Sequence, residues 1–238
     1  MFKRKDGRTE SELRQVKIIK DWLKDPYGSC LIELGNTRVV CAATLEEKVP
    51  VFLKNKRSGW ITAEYGMLPG STPERVKRER TSGRIYEIQR FIGRSFRSIA
   101  DLEVLNGYTI TIDCDVLQAD GGTRVASITG GYIALYDAIQ YMLAQGMIDR
   151  TPLKNFVAAC SVGIVENIPL LDLTYEEDAR ADVNMNVVMT DDLSIIEIQA
   201  TGEARPFNMD ELNRLLTLAK DGVRQLFDIQ RDALSLRV

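Results

Sequence analysis

The chain has 238 residues, is 45% hydrophobic and 27% charged, and carries a formal net charge of −3. That is an ordinary globular composition; no apolar run reaches membrane-spanning length, and any nucleic-acid site must come from local clustering of charge. Histidine is absent, which removes Ser-His-Asp and Cys-His catalysis, paired-histidine nuclease chemistry and His-ligated zinc. The basic, polar start, Met1 to Arg8, leads into no apolar signal segment. Cys30, Cys41, Cys114 and Cys160 are widely separated and form no Cys-x-x-Cys pair. The expectation is a cytoplasmic protein, without membrane association, whose thiols are buried and reduced.

Leu13 to Leu23 reads either as a strand followed by polar turn residues or as a short helix. Ser29 to Leu34 and Arg38 to Thr44 form a hairpin across Gly35-Asn36, and Gly59 to Met67 is extended, ending at Pro69-Gly70. Gly70 to Gly83 is a polar loop. A helix follows from about Ile85 to Ile99, with Ile85, Ile88, Ile92 and Ile99 as its apolar stripe and Arg90, Arg94 and Arg97 sharing another face. Between Glu74 and Arg97 stand eight basic residues against three acidic ones, a local charge of +5 on an acidic chain. Such a run is either a solvated face or a track for a phosphate backbone; a basic loop leading into a basic helix favours the track.

Thr109 to Val116 alternates like a strand and breaks at Ala119-Asp120-Gly121-Gly122-Thr123-Arg124. A helix follows, with Ile128, Tyr132, Leu135, Tyr136, Ile139, Met142 and Leu143 at helical spacing. A strand, a glycine turn and a helix start make a natural anion site: glycines permit close backbone approach, and the first amides carry partial positive charge. Thr123 adds a hydroxyl and Arg124 a fork suited to phosphate. The plain alternative is a connection with one surface arginine.

Phe156 to Val165, Leu170 to Leu173, Val183 to Met189 and Ile195 to Ala200 read as strands. Asn208 caps a final helix, with Glu211 at the third position and Phe207 poised to staple onto Leu212. The order of elements predicts one α+β domain over residues 1–238, mixed β-sheets with packed helices. Between Asp172 and Asn186 the chain is rich in acids yet flanked by apolar strands. If it is extended from Asp182, then Asp182, Asn184 and Asn186 share a face. Acids there suit Mg²⁺ or Mn²⁺, or a general acid for a leaving oxygen; otherwise the segment is an acidic surface hairpin.

Four stretches, Gly59 to Pro69, Gly83-Arg84 with Glu87 to Arg90, Asp113 to Arg124, and Asn186 to Thr190, resemble bacterial ribonuclease PH, in order and over nearly the whole chain. The resemblance implies the ribonuclease PH-like fold. It also implies a 3′-to-5′ exoribonuclease that trims tRNA precursors with inorganic phosphate, releases nucleoside diphosphates, and runs in reverse as a nucleotidyltransferase. It implies rings of six subunits, as trimers of dimers, and kinship with polynucleotide phosphorylase and exosome core subunits. By the same resemblance Arg84, Gly122, Thr123 and Arg124 bind phosphate, and two catalytic aspartates fall on Asp178 and on position 184, which here is Asn184.

Asparagine matches aspartate in shape but carries no charge, ligates hard cations poorly and is no carboxylic acid. Either the site is otherwise intact and slowed, or Asp182 takes over beside Asp178 as the metal-holding carboxylate. Two residues of strand displace Asp182 by roughly 6–7 Å, which favours the first. Arg75, Arg78, Arg80, Arg90, Arg94 and Arg97 are the expected RNA contacts, gripping the backbone without sequence preference. The competing functions are a non-catalytic RNA-binding ring subunit and a structural oligomer whose basic helix faces solvent.

Overall fold

Leu13 to Leu23, which its own pattern leaves undecided, contains a strand, β1 (Val16–Lys20). A computed structural model describes residues 4–77 and 82–236. The hairpin over Gly35-Asn36 forms as expected from β2 (Gly28–Leu34) and β3 (Thr37–Glu46). Then come β4 (Trp60–Met67), helix α1 (Gly83–Ser98) and β5 (Thr109–Gln118). Strands β4 and β5 are parallel, so α1 is the crossover that a parallel pair requires. The first sheet has the order β1-β2-β3-β5-β4.

Helix α2 (Thr123–Ala144) follows directly. The second sheet contains β6 (Val157–Val165), β7 (Ile168–Leu171), β8 (Val183–Thr190) and β9 (Ile195–Gly202), all antiparallel, in the order β7-β6-β8-β9. Between β7 and β8 sits a single helical turn, α3 (Tyr175–Asp178), and the last element is α4 (Met209–Ala233). The α+β arrangement of mixed sheets and packed helices is therefore present.

Helix α2 is buried without a break from Val125 to Leu135. A helix apolar on every side belongs inside, and α2 packs against β2 and β3 of one sheet and β6 of the other. Its N-terminus therefore opens where the two sheets meet. Helix α4 covers the second sheet with Leu215, Ala219, Val223, Leu226 and Phe227. Its start is the expected capping box: the Asn208 side chain accepts from the Asp210 and Glu211 amides, and Glu211 reaches back to the Asn208 amide. Such a cap contributes about 1 kcal/mol. Gln230 donates from Nε2 to the carbonyls of Thr129 (2.9 Å) and Val157 (3.0 Å), joining α4 to α2 and β6.

All four cysteines are buried and free, as expected. Cys30 lies opposite Cys41, and Cys41 opposite Cys114, across three neighbouring strands. The adjoining Cys114 and Cys30 thiols, with burial, push the Cys41 thiol up.

The segment before β1 is held by buried ion pairs. Arg4 meets Glu177 through two bonds, Nε to Oε1 at 2.8 Å and Nη2 to Oε2 at 2.7 Å. Burial alone would raise the Glu177 carboxyl, but Arg4, the Thr174 amide and Arg8 together hold it below its ordinary 4.5. A depressed carboxylate contributes stability that is present above its unfolded pKa and lost as pH falls through the folded value. The expected result is a melting temperature that declines on acidification below about pH 4.5; in Glu177→Gln that part of the decline is absent, as thermal melts at stepped pH show.

Candidate active site

The turn that starts α2 is built on two glycines at positive φ, Gly121 at 76° and Gly122 at 70°. A Cβ on Gly121 would stand 2.5 Å from the Leu173 carbonyl oxygen, so the loop before α3 can approach only glycine here. Gly122 is the N-cap of α2 and offers no side-chain cap; the first amides of a long helix thus remain available to an anion. Thr123 Oγ1 shares a 2.8 Å hydrogen bond with the hydroxyl of Tyr65, which is buried on β4. Arg124 donates from Nη1 to Oε1 of Gln199 on β9 at 3.1 Å, and Gln199 donates to Glu197 at 3.2 Å. The Arg124 fork is thereby oriented by the second sheet.

Asp178 closes α3 from the opposite side. Burial raises its carboxyl above the ordinary aspartate value and the charge of Glu203 adds to this, while the fields of Arg124 and Arg84 and a hydrogen bond from Asn184 pull the other way. The same two arginines act on the Tyr65 hydroxyl, which burial raises. Arg84 in the first turn of α1 and Arg124 in the first turn of α2 are thus near enough for their charges to act on both Asp178 and Tyr65. That arrangement suits an anion held between two guanidinium groups beside a carboxylic acid whose proton is retained to higher pH than usual.

Asn184 on β8 donates its amide to the Asp178 carboxylate. Asp182 lies at a bend just before β8 rather than within the strand, and its Oδ2 is 3.7 Å from Nε of Arg205, which also pairs with Glu211 at 2.7 Å. Of the expected metal pair of Asp178 and Asp182, the first contacts Asn184 and the second contacts Arg205. Among the described residues no three acidic or cysteine side chains converge as a metal cluster. Asp178, an amide N–H and two guanidinium fields, with Glu203 acting only through its charge, do not fit a hard divalent cation, which seeks several oxygen donors.

Two expected RNA contacts also have other partners. Arg94 forms a fork with Glu197, Nε to Oε2 at 3.0 Å and Nη2 to Oε1 at 2.6 Å, tying α1 to β9. Arg97 donates to the Ile61 carbonyl at 2.8 Å and stacks 4.3 Å over the Trp60 ring. Arg97 is half-buried, whereas Arg94 is exposed despite its partner, as are Arg75 and Arg90. Arg78 and Arg80 lie outside the described residues.

Helix α3 carries Asp178, yet the carboxylate segment does not read as helical by periodicity. Its signal is the pair Thr174 and Glu177, a capping box in which the Thr174 hydroxyl accepts from the Glu177 amide and Glu177 returns to the Thr174 amide. Gln199 has no sequence mark, since it matters only through its contact with Arg124 across the molecule.

Residues 12–139 match the model of the 3′ exoribonuclease family, domain 1, and residues 155–222 match that of domain 2. The chain belongs to the 3′ exoribonuclease family. The first matched region ends within α2 and the second begins just before β6, and the candidate site residues come from both. Among solved structures, the fold is similar to rice (Oryza sativa) Rrp46, with a TM-score of 0.79, 19% identity, and cover of 98% of this chain and 100% of that one. It is similar to the Archaeoglobus fulgidus exosome with RNA bound to the active site, with a TM-score of 0.81, 22% identity, and cover of 95% and 92%. The archaeal exosome core gives a TM-score of 0.76 at 21% identity, covering 98% of this chain and 91% of that one. The two-sheet arrangement of this chain is thus the ribonuclease PH-like fold.

Proposed function

We propose that the chain is a phosphate-dependent 3′-to-5′ exoribonuclease of the ribonuclease PH kind, slowed by Asn184. What supports this reading is that the charges of Arg84 and Arg124 both act on Asp178, with Arg124 in the first turn of α2 behind its glycine turn. Inorganic phosphate is the nucleophile, so no serine, cysteine or histidine is required. The α2 amides, Thr123 and Arg124 hold it, and Arg84 offsets the repulsion between phosphate and the terminal phosphodiester. A phosphate oxygen bonds to the terminal phosphorus while the bond to the 3′ oxygen of the preceding nucleotide breaks. Asp178, whose carboxyl holds its proton to higher pH than usual, supplies that proton to the departing oxygen. The products are a nucleoside diphosphate and an RNA one nucleotide shorter; reversal adds a nucleotide.

The substrates are 3′ ends of RNA, those of tRNA precursors among them, in a cytoplasmic ring of six copies. Incubating RNA with and without inorganic phosphate, and assaying nucleoside diphosphates, tests this: release that depends on phosphate supports it, and shortening without phosphate refutes it. A second reading, a non-catalytic RNA-binding ring subunit, is favoured by the amide of Asn184 in place of a carboxylic acid. It expects RNA retention with no diphosphate at any phosphate concentration. No described helix is long and apolar enough to cross a membrane.

Arg75 and Arg90, with Arg78 and Arg80, are the proposed backbone contacts. Each phosphate contact with single-stranded RNA contributes about 0.7 to the slope of log affinity against log salt. Arg75→Ala and Arg90→Ala therefore weaken binding alike on RNAs of different sequence, each lowering that slope by about 0.7; a filter-binding titration in salt checks both.

A further inference from the structure

Arg14, just before β1, has no part in the chemistry above, yet its guanidinium joins the two halves of the site. We propose that Arg14, held by Asp172, is the positioning residue that sets the phosphate-binding turn of α2 and the Asp178-bearing helix α3 in register; the proposal rests on the phosphorolytic reading.

The pair is buried, with side chains 5% and 2% exposed. Arg14 donates to Asp172 from Nε (2.9 Å, to Oδ2) and Nη2 (2.6 Å, to Oδ1), and its own amide donates to Oδ2 at 2.8 Å. The rest of the fork goes to backbone carbonyls: Nη1 to Asp120 at 2.5 Å, and Nη2 to Gly121 at 3.4 Å and Leu173 at 3.3 Å. Asp120 and Gly121 form the turn that opens α2. Leu173 directly precedes Thr174, the cap of α3.

A planar trans peptide directs its N–H opposite to its C=O. Fixing the Asp120 and Gly121 carbonyls on Arg14 therefore directs the Gly121 and Gly122 amides away from it, and sets the orientation of the turn. The same turn is held on a second side: Thr37 Oγ1 donates to the Gly121 carbonyl at 2.6 Å and accepts from the Asp120 amide at 2.9 Å. Asp120 in turn accepts from the Tyr175 amide in α3 at 3.3 Å. The fit leaves little slack, since a Cβ on Gly35 would fall 2.6 Å from Arg14 Cδ and one on Gly122 would fall 3.2 Å from Nη2. Asp172 sits at φ 55°, an unusual conformation for a residue other than glycine. Buried ion pairs are weak contributors to stability. A pair that bonds three carbonyls drawn from both halves of one site is better explained by the geometry it imposes.

The test uses the full chain carrying Asn184→Asp, so that turnover is measurable, with phosphate and RNA titrated separately and inorganic phosphate binding followed by calorimetry. Arg14→Gln is expected to raise the phosphate KM tenfold or more and weaken phosphate binding in parallel, while the RNA KM stays within twofold. Arg14→Lys, which keeps the charge without the planar fork, recovers only part of that loss. Thr37→Val removes the other anchor of the turn without touching a charge and shifts the phosphate KM in the same direction. Arg14 variants with a lower melting temperature but unchanged phosphate KM and binding reduce the pair to a structural one and overturn the proposal. If those variants fail to fold, an unchanged phosphate KM in Thr37→Val overturns it. A parent that neither binds phosphate nor releases diphosphates sinks the phosphorolytic reading and this proposal with it; an active parent with unaffected variants sinks the positioning role alone.

Discussion

Asn184→Asp is expected to raise phosphate-dependent release of nucleoside diphosphates by about 10²–10⁴-fold, the range that a well-placed proton-transferring group supplies. The reason lies in the contact that Asn184 now makes. Its amide donates to the Asp178 carboxylate, occupying the face of Asp178 that looks toward β8 and contributing no charge. An aspartate in the same place sets two carboxylates against each other. Two carboxylates that close cannot both be ionised easily, so one proton is retained by the pair and is available to the departing 3′ oxygen. The same change supplies the second carboxylate that the present donor set lacks for a hard cation. We therefore propose that dependence on Mg²⁺ or Mn²⁺ appears together with the gain. In the chain as it stands, residual release is expected to be insensitive to chelation; in Asn184→Asp, chelation removes most of the increase. Adding Asp178→Asn to Asn184→Asp abolishes it. A rate measured as diphosphate released per chain, with no rise in Asn184→Asp, refutes the assignment of position 184.

Most strands and three of the helices are legible because their cause is local. The alternation of Thr109 to Val116, the stripe of Ile85, Ile88, Ile92 and Ile99, and the cap at Asn208 each work within a few residues. The phosphate turn is legible for the same reason, since Gly121-Gly122-Thr123-Arg124 carries its own geometry. What the sequence hides is partnership at a distance. Helical spacing shows that Arg90, Arg94 and Arg97 share a face, but not that β9 brings Glu197 to Arg94 or that β4 places Trp60 beneath Arg97. Strand alternation places Asp182 with Asn184, but not Arg205 beside Asp182. Helix α3 is only one turn long, too short for periodicity, and only its capping pair marks it. Arg14 is the extreme case: a basic residue before a strand reads as surface, and only the approach of Asp120, Gly121 and Asp172 from far along the chain turns it into a buried hub.

Arg124→Gln is expected to lower kcat/KM for phosphate by about 10²–10³-fold, the loss that follows removal of a preorganised group from developing charge, while RNA affinity changes little. The guanidinium is the site's most constrained cation. It projects from the first turn of α2, where the helix amides already favour an anion, and Gln199 holds it from the opposite sheet. Glutamine keeps much of the length but none of the charge, so the effect isolates electrostatics from packing. A second consequence separates this variant from a general loss of structure. Arg124 is the largest of the influences that lower the Asp178 carboxyl, which burial raises. Without it the carboxyl rises further, and the fall in rate as Asp178 loses its proton moves to higher pH. Measured in the Asn184→Asp chain, where rates are accessible, the descending limb of the pH profile thus shifts upward in Arg124→Gln but stays in place in Arg90→Gln, whose side chain is assigned to RNA. Gln199→Ala, which frees the Arg124 fork without removing its charge, falls between the two in phosphate KM. If Arg124→Gln weakens RNA and phosphate equally, or leaves the phosphate KM unchanged, then the anion is not bound at the start of α2, and the grouping of Arg84, Arg124 and Asp178 needs another explanation.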